Sequence, residues 1–351
     1  MNGVFPNFYP GYEPSTYQHM AVWSLFGLIF SIIVHELAHA VIAEYYDMPI
    51  LSIRLFIFGG VAEFKGRPSH PRGEFFMAIA GPIMSFMAGL FFLATAYVIR
   101  ENFGNGPTSD SFDYLGQVNF LLAAFNIVPA FPLDGGRALR AFLWHRKQNL
   151  VAATRTASNW GEIFAYTLIG YGCYRLTFFD DMLGAVWLAL LGAFMLGAGT
   201  YAVRQTESWA LLEGQNVSDF MSRNFISVSP DLTVQELVDK YVYKYYQHNF
   251  PVVDNNKLAG VIDLRSMTLD RSRWGWTHVG AQMTPVAQLS VFDADLPAPD
   301  ALNQMKTHNL HTALVLHKKK LVGVLHLQSM LDYLSIMRKI DDGKIKEIHQ
   351  S

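Results

Sequence analysis

The hydrophobic and polar positions divide the chain into an apolar N-terminal region and a polar C-terminal region. Four apolar stretches with few charged residues have about the 20 residues that a helix needs to cross a bilayer. A fifth stretch is shorter and carries Arg175 near one end, where a long side chain can reach the interface. The pattern therefore predicts about five spans, at Ala21–Ala43, Phe75–Ile99, Tyr114–Leu133, Ile163–Phe179 and Met182–Val203.

The polar region contains an internal repeat, in which Asp219–Met267 aligns with Ala281–Met330. Each copy predicts a short segment ending in Met, an amphipathic helix, two short strands and a further helix, so two copies imply one pseudo-twofold module. The predicted amphipathic helices are Thr233–Tyr246 and Asp300–His308, and the strands of the two copies are joined at Asn255-Asn256 and Lys318-Lys319.

Composition supports this division. Only 16% of the 351 residues are charged, whereas an average soluble domain has about 25%. Asp, Glu, Lys and Arg number 24 among residues 20–204 and 31 among residues 205–351.

A net charge of −2 gives no basic footprint for nucleic acid. The single cysteine, Cys173, excludes an intramolecular disulfide and a metal site built from cysteines.

The distribution of Lys and Arg predicts the orientation of the chain in the membrane. The segment Met1–Gln18 has neither residue and lacks the basic start of a signal peptide, whereas the next three connecting loops have four, one and five. Because positive loops stay cytoplasmic, the N-terminus is expected outside and the tail in the cytoplasm. The predicted regions are an extramembrane segment (1–20), a membrane core (21–204), a linker (205–216), the repeated module (217–334, with copies at 217–270 and 279–334) and a polar tail (335–351).

Three ionisable residues in the first predicted span indicate a metal site. His35 and His39 are spaced i, i+4, which places both imidazoles on one helix face within reach of one zinc ion. Glu36 lies at the rim of that face, where it can take a proton from metal-bound water. A chance match of five residues is the alternative, but ionisable groups in a membrane helix are costly unless a metal, partners or water compensate them.

Asp134 is the best candidate for a third ligand. It follows Pro129 and Pro132 at the end of the third predicted span, where broken helix geometry frees backbone groups. Such backbone is tolerated at membrane depth only beside protein or a water-filled cavity. The alternative role for Asp134 is to cap a helix that begins at Gly135.

These residues resemble the site-2 protease family of intramembrane zinc metalloproteases (peptidase family M50). The family's His-Glu-x-x-His helix and its later Asn-x-x-Pro-x-x-Pro-x-Asp-Gly segment both occur here, in the same order. The resemblance implies one zinc ion per chain, with His35, His39 and Asp134 as ligands and Glu36 as the catalytic base. It also implies that Asn126 orients the substrate carbonyl or its oxyanion, although Asn126 equally suits capping of the backbone near Pro129.

Two further segments resemble the core of that family. Ile79–Pro82 has small residues that let helices approach closely, which indicates packing rather than chemistry. Leu51–Phe64 is similar to the family's membrane-dipping hairpin, whose edge could bind an unwound substrate by strand addition, or which could serve as a plain interfacial anchor. Many relatives have a span before the His-Glu helix, and Met1–Gln18 is too short and polar to be one.

The repeated tail resembles a pair of CBS domains, a known accessory of this protease family. The resemblance implies a homodimer formed through the paired modules. Many CBS domains that bind adenine nucleotides carry Gly-x-x-Thr-x-x-Asp after the second strand, and neither copy keeps that pattern, which puts binding of an adenine nucleotide in doubt. The corresponding residues are Gly260, Asp263 and Ser266 in the first copy and Gly323, His326 and Ser329 in the second.

The expected fold is an α-helical polytopic membrane protein with a cytoplasmic α/β module of tandem CBS domains. The expected function is zinc-dependent cleavage of transmembrane segments in membrane-anchored substrates, at the cell membrane, with regulation by the CBS pair. The alternatives are a CBS-regulated transporter or channel and a catalytically silent scaffold. A transporter predicts charges spread through several spans, and a scaffold predicts loss of Glu36 or a ligand; neither feature is present.

Overall fold

The computed structural model describes residues 4–48, 50–56, 59–64, 70–255, 257–264, 267–318 and 320–350. The chain forms two compact units, Met1–Glu207 and Ser208–Ser351. The first unit is helical apart from one hairpin, and the second contains two small sheets with short helices. This is the predicted combination of a helical membrane core and an α/β tail, and the predicted fold class is confirmed.

Long helices make up most of the first unit. Three of those described, α2, α3 and α7, are long and apolar enough to cross a membrane. The spans predicted within α4 and α6 are helical as well, and their crossing of the membrane stays a prediction. The helices are α1 (Val4–Phe8), α2 (Pro14–Tyr45), α3 (Pro71–Phe103), α4 (Pro107–Asn126), α5 (Asp134–Lys147), α6 (Leu150–Phe179) and α7 (Met182–Leu212).

The third predicted span, Tyr114–Leu133, is wrong in its second part, because α4 ends at Asn126 and residues 127–133 form turns. Pro129 and Pro132 carry no backbone N–H to continue the helical hydrogen bonds. The irregular segment is instead secured by neighbours: Phe131 N donates to Ala157 O of α6. The segment therefore brings the start of α5 back beside the helices of the core.

The predicted hairpin is present as strands β1 (Ile50–Phe56) and β2 (Gly59–Phe64), which pair antiparallel from Ile50 with Phe64 to Phe56 with Gly59. Both strands lie against α2. The hairpin thus adjoins the helix that carries the His-Glu motif.

The N-terminal segment is tied to the start of α4 by two tyrosines. Tyr9 Oη donates to Asp113 at 2.9 Å, and Tyr12 Oη donates to Asp110 at 2.8 Å. Phe5 is buried, with its ring 4.8 Å from the Tyr114 ring. Burial first, and then the hydrogen bond and the charge of Asp110, raise the pKa of Tyr12 to about 12.

The second unit contains two three-stranded sheets, and backbone of each copy pairs with the sheet of the other. Gly260 of the first copy pairs with Pro285, which follows the opening segment of the second copy, and Ser222 after the first opening segment pairs with Val324. A side chain at Gly260 would meet Thr284 O at 2.3 Å, and one at Gly323 would meet Met221 Sδ at 2.7 Å. The two glycines thus leave room for the other copy where a short strand pairs with Gly260 and where a single bridge forms next to Gly323.

The helix predicted after the strands of the first copy is wrong among the residues described. The second copy continues into a long helix from Leu327, but in the first copy only a single 3-10 turn, Arg271–Arg273, follows β4 (Lys257–Asp263). Asp270 accepts a hydrogen bond from Ser272 N, so local side-chain bonding and Gly275 favour turns over a helix.

The remaining elements follow the repeat. The segment predicted as Thr233–Tyr246 is helical but includes a π-helical turn, Val238–Val242, and Thr233 and Glu236 form a capping box at its start. The other elements are α8 (Val217–Phe220), α9 (Val234–Leu237), α10 (Tyr243–Tyr245), β3 (Asn249–Asp254), α11 (Val279–Gln282), β5 (Thr284–Pro285), β6 (Val291–Asp293), α12 (Ala298–Thr307), β7 (Thr312–His317), β8 (Lys320–His326) and α13 (Leu327–Gln350).

We expect the double substitution Tyr9→Phe/Tyr12→Phe to destabilise the protein by about 1–3 kcal/mol, because it removes two hydrogen bonds to carboxylates. Only the protonated phenol donates, and its pKa rises from 10.0 to about 12 at Tyr12, so this stability is complete below pH 10 and is lost as the pH rises through 12. Thermal unfolding in detergent measures the effect. The exposed Tyr201→Phe is the control, and equal melting temperatures for both variants would contradict the assignment.

Candidate metal centre

Helix α2 presents both histidines of the motif to the interior of the first unit. His35 and His39 are 5% and 3% exposed, and their Nε2 atoms are 3.2 Å apart. The helix has alternating exposure along this stretch, since Leu37 between them is 53% exposed. The i, i+4 spacing therefore places both imidazoles on the buried face, one turn apart, as predicted.

Asp134 reaches the same point from the start of α5. Its Oδ2 atom is 3.2 Å from His35 Nε2 and 3.2 Å from His39 Nε2, although 99 and 95 residues separate them in sequence. The N-cap residue of α5 is Leu133, and Asp134 is the first helical residue. The alternative role as a cap for a helix beginning at Gly135 is therefore wrong.

The three side chains fit a zinc ion in both chemistry and spacing. Two imidazole nitrogens and one carboxylate oxygen form a common catalytic zinc donor set, which leaves a fourth position open. In a tetrahedral site with bonds of about 2.0–2.1 Å, ligand atoms are about 3.3–3.4 Å apart. The observed separations of 3.2 Å are close to that value.

Helix α3 supports both imidazoles from behind. His39 Nδ1 donates to Met77 O at 2.7 Å, and His35 Nδ1 is 2.8 Å from Ser85 Oγ. Gly81 lies between these two residues along the helix, and a Cβ there would be 2.3 Å from His39 Nε2. The small residue that the sequence indicated for packing thus also leaves room for the metal ligands.

A buried ion pair joins α3 to α5 beside the ligands. Glu74 is fully buried and accepts hydrogen bonds from two guanidinium nitrogens of Arg140, whose guanidinium also lies 5.1 Å from the Phe131 ring centroid. Arg137 Nη1 is 4.0 Å from Asp134 Oδ1. These contacts secure the first turns of α5, and with them the position of Asp134.

The two remaining predicted residues lie outside the cluster of ligand atoms. Glu36 is 7% exposed, and its carboxylate makes no hydrogen bond to the residues described, so it is available for proton transfer. Asn126 is the last residue of α4, and its Nδ2 donates to Leu122 O of the same helix. This bond lies within the last turn of α4, so it does not decide between the two roles considered for Asn126 from sequence.

Sequence reasoning missed the residues that support the site. Glu74 and Arg140 are charged residues next to apolar stretches, and this was an available signal for a buried pair. Met77 contributes only its backbone carbonyl, which leaves no trace in the residue type. Ser85 is one of several serines in apolar helices, and only the folded structure distinguishes it.

Comparisons with known proteins match the N-terminal and C-terminal parts of the chain to two different families. The model for peptidase family M50 matches residues 23–106 and 96–169, and that for the CBS domain matches residues 217–268 and 283–336. The Mycobacterium tuberculosis protein Rip3 is 28% identical over 338 residues, which cover 95% of this chain and 86% of Rip3. Zinc metalloprotease MJ0392 of Methanocaldococcus jannaschii is 29% identical over 321 residues, which cover 91% and 87%.

Among solved structures, the site-2 protease from Methanocaldococcus jannaschii is 28% identical and aligns with a TM-score of 0.41, covering 53% of this chain and 87% of that one. The family models coincide with the region of the candidate metal centre and with the repeated tail. The match to the protease family agrees with the three described helices that are long and apolar enough to cross a membrane. The membrane core of the chain thus matches peptidase family M50, its repeated tail matches the CBS domain, and the curated relatives that span both parts are named zinc metalloproteases.

Proposed function

We propose that this protein is an intramembrane zinc metalloendopeptidase that cleaves transmembrane segments of membrane-anchored proteins. The observation that carries the proposal is the convergence of His35, His39 and Asp134 on one buried point. Two of these ligands lie in a helix apolar enough to cross a membrane. A hydrolytic metal site at that position acts on peptide bonds that enter the bilayer.

The residues of the site divide the work of hydrolysis. When bound by His35, His39 and Asp134, zinc supplies Lewis-acid polarisation of water and of the scissile carbonyl. Glu36 takes the proton of the attacking water and passes it to the leaving amine. Its lack of a hydrogen-bond partner among the residues described supports this role, because a free carboxylate oxygen can accept the proton.

Substrate binding involves two neighbouring elements in this proposal. Asn126 orients the substrate carbonyl or its oxyanion. Asn126 Nδ2 donates to Leu122 O, so contact with substrate requires the amide to turn away from that carbonyl. The hairpin of β1 and β2 lies beside α2 and offers strand edges to an unwound substrate segment.

The CBS pair is proposed to regulate the protease core and to join two chains in a homodimer. Backbone pairing between the two copies, of Gly260 with Pro285 and of Ser222 with Val324, supports a single paired module. An adenine nucleotide is the ligand that CBS domains suggest, although Asp263 and His326 depart from the usual nucleotide-binding pattern.

The protein is proposed to lie in the cell membrane with its N-terminus outside and its CBS domains in the cytoplasm. The support is the alternation of Lys and Arg between loops, with none before α2 and five residues between Arg137 and Arg155. A cytoplasmic CBS pair would monitor soluble cytoplasmic ligands.

The substitution Glu36→Gln is expected to abolish cleavage while zinc remains bound, because the amide keeps the side-chain shape but cannot accept the proton. The measurement is cleavage of a tagged single-span substrate co-expressed with each variant and resolved by gel. The exposed Glu44→Gln on the same helix is the matched control and should cleave normally. Equal cleavage by Glu36→Gln and wild type would refute the mechanism, and intact zinc with no cleavage by wild type across a substrate panel would favour the scaffold.

The substitution Asp134→Ala is expected to reduce bound zinc from about one ion per chain toward none, because two imidazoles alone form an incomplete site. Metal content of the purified protein, measured by mass spectrometry, tests this without any substrate. Glu44→Gln again serves as the control. Full zinc occupancy in Asp134→Ala would remove Asp134 from the ligand set.

A further inference from the structure

One ring nitrogen of His35 faces the candidate metal centre, and the other faces the hydroxyl of a serine. His35 Nδ1 is 2.8 Å from Ser85 Oγ, and His35 Nε2 is 3.2 Å from Asp134 Oδ2. Ser85 is 1% exposed and His35 is 5% exposed. Because bulk water has so little access, no solvent molecule readily replaces the hydroxyl as the partner of Nδ1.

The neighbouring histidine has a different kind of partner. His39 Nδ1 lies 2.7 Å from Met77 O, and a carbonyl oxygen only accepts hydrogen bonds. His39 Nδ1 must therefore carry a hydrogen, and in the neutral ring Nε2 presents its lone pair to the site. The Met77 carbonyl therefore favours the tautomer of His39 whose Nε2 can bind a metal ion.

A hydroxyl does not select a tautomer, because it both donates and accepts. Ser85 can therefore stay bonded to His35 Nδ1 whichever nitrogen of the neutral ring carries the hydrogen.

A metal ion at this site would be held through the lone pair of His35 Nε2, and in the neutral ring the hydrogen would then be on Nδ1. The Ser85 hydroxyl would accept a hydrogen bond from that Nδ1–H and keep the ring in place.

We propose that Ser85 is a positioning residue for the metal centre: its hydroxyl bonds Nδ1 of His35 and holds the ring with Nε2 directed at Asp134 and His39. The inference rests on the proposed metal site at His35, His39 and Asp134. Partners behind metal-binding histidines commonly change metal affinity about 10–100-fold when they are removed.

The test is zinc affinity, measured by competition with a chromophoric chelator on the purified full-length protein in detergent. Ser85→Ala is expected to weaken zinc binding about 10–100-fold, because Nδ1–H then has no acceptor in the bound state. The matched controls are Ser24→Ala and Ser158→Ala, which remove buried hydroxyls that have no partner among the residues described. Both controls are expected to bind zinc like the wild type.

A spectroscopic measurement separates positioning from general stability. In the cobalt-substituted protein, Ser85→Ala is expected to shift the visible absorption bands, because the His35 ring is free to rotate about its bonds. Ser85→Thr keeps the hydroxyl and should restore both the spectrum and most of the zinc affinity. Thermal unfolding of every variant shows that each one is folded.

Two results would overturn the inference in distinguishable ways. If Ser85→Ala binds zinc and cobalt like Ser24→Ala, Ser85 does not position His35, and the metal centre itself is unaffected. If wild type and Asp134→Ala bind zinc equally, the proposed metal site fails, and the role of Ser85 fails with it.

Discussion

Burial of two histidines and an aspartate among apolar helices is the constraint on which the rest of the membrane unit depends. Polar groups removed from water cost free energy unless they are bonded or bind a metal. His35, His39 and Asp134 meet that condition by converging within 3.2 Å of one another. The same convergence leaves each ligand atom directed at one point, which is what a catalytic metal requires.

Helix α3 holds the converging side chains in place. Four positions along it, Glu74, Met77, Gly81 and Ser85, recur at intervals of three or four residues and so lie on one face. Glu74 pairs with Arg140, and Met77 and Ser85 bond the two imidazoles. Gly81 leaves room for both rings. One helix therefore supports ligands from both α2 and α5.

The C-terminal unit is organised by its internal sequence repeat. Each copy has a hairpin, and backbone after the other copy's opening segment pairs with its second strand, as a short strand at Gly260 and as a single bridge at Val324. Gly260 and Gly323 occupy corresponding places and allow the same close contact. The copies differ where the second continues into α13 and the first forms turns, because Asp270 and Gly275 favour turns while the second copy carries a helical pattern.

The sequence alone determined the features that depend on local pattern: the apolar helices, the repeat, and the i, i+4 placement of His35 and His39. It also indicated Asp134, because proline-broken backbone beside an acid in an apolar stretch is unusual. Only the tertiary structure decided where α4 ends and which groups face the imidazoles from α3. Met77 acts through its backbone and Ser85 through a contact across 50 residues, and neither depends on a pattern that neighbouring residues reveal.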